Sequence, residues 1–252
     1  MADFLSTLGT EIMSVGAAVV DRLPDNFSAD VFKALIGSFF GAGLAFIFAL
    51  RKDASTRLTE QRAAGNLAVT TLARMTNDFM QVSAVLADHR KRVLADQPQS
   101  PLWLQFKPMA HEYNEDLRFD IAGLTFIFDH PDGPEVFNIL ITAEIKFHSF
   151  FQHVTRHAAI TEDAQDVLAA SHPDPRVPRP VSELNQSLGF ARIARIESIA
   201  SAIIEHIDRS EPSFLEAGQA LPALLKKLFK KGVIRFQPPD AAELKQFVEA
   251  NR

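Results

Sequence analysis

The chain has 252 residues, a formal net charge of −5 and no cysteine. Its length allows a domain of about 200 residues with a buried core. The missing cysteines exclude disulfides, thiolate catalysis and cysteine-based zinc sites, and the acidic balance argues against nucleic acid as a partner. Phenylalanine is abundant, at 21 residues against one Trp and one Tyr.

Residues 1–30 carry five acidic residues and one basic residue, Arg22. Phe4, Leu5, Leu8, Ile12, Val15, Val19 and Leu23 recur at helical spacing, so this stretch reads as a short amphipathic segment ended by Pro24. Residues 34–50 then run without a charge. A helix of that length measures about 26 Å, and counting from residue 31, with Lys33 snorkelling, brings it to about 30 Å, a bilayer core. A buried core helix is the competing reading. The spacing and flanks favour a single transmembrane helix over residues 31–50, with lipid bilayer as its surroundings.

Arg51, Lys52, Arg57 and Arg62 follow the run. The positive-inside rule therefore predicts an inner (plasma) membrane protein with its N-terminus outside and residues 51–252 cytoplasmic. Gly37, Gly41, Ala45 and Ala49 form one row of small residues, with Ser38 and Ala42 in a second. Such rows permit close helix approach and point to a homo-oligomer, or to another membrane or cytoplasmic protein as partner.

Residues 53–95 read as a long helix. Ala68, Leu72, Met75, Phe79, Val82, Leu86, His89 and Val93 step by four and three, a heptad seam fitting either a coiled coil or one helix of a bundle. No proline intervenes before Pro98, so the two helices are able to run together, although Gly65 weakens the middle. Residues 96–101 are a loop. Residues 102–128 mix strand and helix spacing and are read as helix.

Asp129, His130, Pro131, Asp132, Gly133 and Pro134 make a turn. A helix from Glu135 to about Ala159 presents Val136, Leu140, Ala143, Phe147, Phe150 and Val154 on one face. The Pro-rich residues 171–180 form a connection. Ser182 is the expected N-cap of a helix reaching Asp208, buried through Ile193, Ile196, Ile199, Ala200, Ile203 and Ile207. A further helix runs from Ser213 to Lys231, closed by Gly232, and Asp240 caps a short last helix.

The predicted fold is thus all-α: a single N-terminal span feeding a cytoplasmic helical bundle through a long membrane-proximal helix. Catalytic elbows, phosphate loops and zinc-protease spacing are all missing, so no enzyme activity and no cofactor is expected. Two weaker constellations support an alternative, a ligand- or metal-binding sensor or enzyme. His153 and His157 lie one turn apart with His148 nearby, and Asp129, His130, Asp132 and Glu135 surround the turn. Lys226, Lys227, Lys230 and Lys231 form a basic helix end suited to an anionic surface or to the helix dipole. The leading expectation is a membrane-anchored, self-associating scaffold, signal receiver or assembly subunit, in its sharpest form a pore-forming effector of the bacterial defence or toxin type.

Overall fold

The computed structural model describes residues 29–109, 113–171 and 180–250, without the side chains of residues 29–36, 40 and 241. Every regular element among them is helical. The long helices are α1 (Ala29–Asp96), α2 (Gly133–Ser171) and α4 (Phe190–Phe229), with shorter α3 (Val181–Leu188) and α5 (Ala241–Ala250). The chain divides into two compact units, Met1–Arg57 and Leu58–Arg252, and the boundary falls within α1.

In the first unit, residues 37–50 continue the helix with no break at the charges that follow. Among the described residues no helix is long and apolar enough to cross a membrane. The uncharged stretch of the helix, residues 34–50, measures about 26 Å at 1.5 Å per residue, short of the roughly 30 Å of a hydrocarbon core. This overturns the single span over residues 31–50, the inner-membrane localisation and the sidedness drawn from Arg51 and Lys52; a pore built on that span goes with it. The amphipathic segment expected over residues 1–30 lies almost wholly outside the described residues, as do residues 172–179 of the Pro-rich connection.

The second unit is a helical bundle with a phenylalanine core. The seam of α1 supplies it: Ala68, Leu72, Met75, Phe79, Val82 and Leu86 are all buried within this chain. They pack with the predicted face of α2, where Val136, Leu140, Ala143, Phe147, Phe150 and Val154 are buried without exception. The seam is therefore a bundle interior, and the coiled-coil reading, with self-association along the seam, is corrected. The Phe79 ring lies 4.8 Å from both Phe150 and Phe214, joining α1, α2 and α4 at one point. Gly65 also has a packing role, since a Cβ there would come within 2.7 Å of Leu225 Cδ2. The residue that weakens helix propensity is what lets α4 pack closely at this level.

Residues 102–128 depart furthest from expectation. Among their described residues the regular elements are the 3-10 turns Leu102–Leu104 and Thr125–Asp129, the rest of the described chain being irregular. Leu117, Phe119, Leu124, Phe126 and Ile127 are nevertheless buried against the bundle. The Glu144 carboxylate accepts the Phe119 N–H at 2.9 Å, satisfying backbone that a helix would have satisfied internally. The mixed spacing reflects a lid of anchored side chains rather than a repeating face.

The helix expected to end at Asp208 does not end there. Residues 190–229 form one helix that passes through Pro212 and Pro222. The break falls earlier, at Gly189, whose φ of 77° is a region glycine adopts readily. Ser182 is not the N-cap of α3; Pro180 occupies that position, with no side-chain capping bond. Asp240 does cap α5, its carboxylate accepting the Glu243 N–H at 2.7 Å. Beyond α4, Asn66 grips the departing chain on both sides: its amide donates to the Gly232 carbonyl at 2.9 Å and accepts from the Ile234 N–H at 3.1 Å.

Candidate functional site

The three histidines expected to act together on α2 have different neighbours. His148 packs near Tyr113 and against Phe147. His157 is 2% exposed and lies edge-on to Phe106, with its Nε2 buried and without a hydrogen-bond partner. His153 instead meets His206 of α4, their ring centroids 5.3 Å apart. The shared His148, His153 and His157 site is therefore not formed. Among the described residues no group of three or more His, Asp or Glu is placed to hold a metal ion.

The pairing of His153 with His206 is the feature sequence reading missed. Helical periodicity relates residues on one helix, whereas these two are separated by the connection, α3 and part of α4. Both stand at the edge of the phenylalanine core, where the Phe150 ring lies 6.2 Å from His206. The His153 Nδ1–H donates to the Ser149 carbonyl at 2.6 Å, and His206 Nδ1 lies 3.3 Å from Ser210 Oγ. Lys146 is held nearby by the Ser213 hydroxyl at 2.6 Å and the Arg209 carbonyl at 3.3 Å. Burial lowers the pKa of His206, with His153 adding to the effect.

Burial alone lowers the pKa of His157. In the unfolded chain an imidazole takes up its proton near pH 6.5, whereas folded His157 does so only at lower pH. The unfolded state thus binds more protons in that window, and stability falls as pH drops below about 6.5. The steepest contribution from one such group is about 1.4 kcal/mol per pH unit. Urea denaturation between pH 5.5 and 7.5 should show this slope, and His157→Leu should flatten it. An equal slope in both proteins would mean that His157 is not desolvated.

The turn at residues 129–134 forms as expected but does not gather oxygen ligands. Asp132 Oδ2 receives the Lys227 ammonium at 2.6 Å. That hydrogen bond and its charge hold the Asp132 carboxyl below its ordinary pKa. One lysine of the basic helix end is therefore engaged within the chain, while Lys226, Lys230 and Lys231 are exposed. At the Gly189 break, a concavity of about 700 Å³ is lined by Asp163, Phe190, Arg192 and Arg195. Its Arg192 is neutralised by Asp163 at 3.0 Å.

The remaining predicted site residues lie on the N-terminal part of α1. Gly37, Ser38, Gly41, Ala42, Ala45 and Ala49 are all exposed. A Cβ added at Gly37, Gly41 or Gly43 would meet nothing within 4 Å. Beside them Phe39 is 71% exposed, Phe46 and Phe48 65% each, and Leu44 and Leu50 more than half. This is a contiguous apolar helix surface uncovered by the chain's own described residues. No known protein family, curated protein or solved structure matches the chain.

Proposed function

We propose that this protein is a non-enzymatic assembly module, a scaffold or subunit that self-associates through residues 37–50 of α1. The observation that carries this reading is the exposure of Phe39, Leu44, Phe46, Phe48 and Leu50 on one short length of helix. Each large apolar side chain contributes about 1.5–3 kcal/mol when removed from water. Burying several per copy offsets an association cost of about 4–15 kcal/mol.

A second copy is the occupant that the surface chemistry favours. The row Gly37, Gly41, Ala45, Ala49 is a shallow track beside bulky phenylalanines, so two such helices present both ridge and groove to each other. Self-complementarity of this kind generates a two-fold interface. The bundle of the second unit, with its own core, is then the module that assembly brings together.

Light scattering after size-exclusion chromatography tests the reading on the full chain. Wild type should elute at a defined multiple of 27.9 kDa. Phe46→Asp should return it to the monomer mass, because a carboxylate would be buried in the interface. Gly41→Leu should shift the distribution the same way by filling the close-approach track. A monomeric wild type, or an oligomer indifferent to both substitutions, would remove residues 37–50 as the interface.

A further inference from the structure

We infer that His153 and His206 form a two-histidine site for a divalent transition-metal ion of the zinc class, bridging α2 and α4. The first support is distance. An ion bonded tetrahedrally to two imidazole nitrogens at about 2.0–2.1 Å places the two ring centroids about 5.2 Å apart. The observed separation is 5.3 Å, with the rings inclined at 42°.

The second support is the state of the rings. The Ser149 carbonyl can only accept, so in neutral His153 the proton sits on Nδ1 and Nε2 carries the lone pair. His206 has its Nδ1 beside Ser210 Oγ, and Ser210 is buried. A ring nitrogen engaged with a carbonyl or hydroxyl, with the other left open, is the arrangement that orients metal-binding imidazoles.

The charges around the pair limit what it would bind. Lys146 disfavours a cation at His206 and Glu205 favours one. Arg209 already holds Glu205 Oε1 at 2.6 Å, and the Lys146 ammonium is turned onto the Arg209 carbonyl and Ser213. No third His, Asp or Glu completes the set among the described residues. Two protein ligands would leave the ion's other tetrahedral positions to water, one more than in zinc sites with three protein ligands.

Zinc(II) titrated calorimetrically into the tag-free full chain tests the inference. One equivalent should bind to wild type, at least tenfold more weakly to His153→Gln and to His206→Asn, and unchanged to His148→Gln. Thermal melts with and without zinc give a second readout, with stabilisation expected in wild type and absent in both site variants. Should His206→Asn fail to fold, His153→Gln, at a half-buried position, decides alone. No saturable binding by wild type, or equal binding by wild type and His153→Gln, would overturn the site.

Discussion

Phe79→Ala is expected to destabilise the chain by about 3–5 kcal/mol, the range for removing a buried phenylalanine from a tightly packed core. The ring is almost completely buried and touches Phe150 and Phe214 at centroid distances of 4.8 Å. It therefore joins the three long helices of the second unit, and truncation leaves a void that no single neighbour is able to fill. Phe150 is itself pinned by Phe151 at 5.1 Å, which limits collapse into the space. Native stability is usually about 5–15 kcal/mol, so this loss is a large share of the total. Urea titration followed by far-UV circular dichroism should show the midpoint falling sharply. Phe79→Leu should recover much of the loss, and a midpoint unchanged by Phe79→Ala would refute the placement of this ring at the helix junction.

Gly133→Ala should be the most damaging single-methyl change, at about 1–3 kcal/mol, the usual cost of overpacking. Gly133 opens α2, and its N–H donates to the His130 carbonyl at 2.8 Å. A Cβ at this position would overlap the carbonyl of Ile127, a backbone group in the preceding 3-10 turn. Backbone cannot move aside as a side-chain tip does, so the turn would have to shift and carry buried Phe126 and Ile127 with it. Alanine's better helix propensity would not compensate, because it is worth about 1 kcal/mol even in a helix interior. The contrast is Gly41→Ala, where the added methyl meets open space. Denaturation of the two variants side by side should give a clear loss for the first and little change for the second. Equal behaviour would mean that Gly133 is not packed against the turn.

Much of the fold was legible because helices report their buried face through spacing. All six apolar positions predicted on α2 and six of the seven on α1 are core residues, Val93 being half-buried. The turn before α2 and the Asp240 cap follow from local hydrogen-bonding chemistry and appear where expected. Residues 102–128 were not legible. Their hydrophobic side chains are anchors for an irregular segment, and burial without periodicity looks like either regular structure.

The interhelical details were equally hidden. His153 pairs naturally with His157 in sequence because the two sit one turn apart on α2, yet its ring meets His206 on α4. Lys227 reads as part of a basic surface, and it is a partner for Asp132, 95 residues away. Neither pairing leaves a trace in local pattern.

What the sequence determined by itself is an all-helical chain with defined apolar faces, because a 3.6-residue period and local capping depend only on near neighbours. The tertiary structure decided what covers each face. It buried the α1 seam inside this chain, left Phe39, Leu44, Phe46, Phe48 and Leu50 exposed, and brought His153 to His206 across the bundle. Periodicity specifies that a face must be buried; only three-dimensional packing selects the surface that buries it.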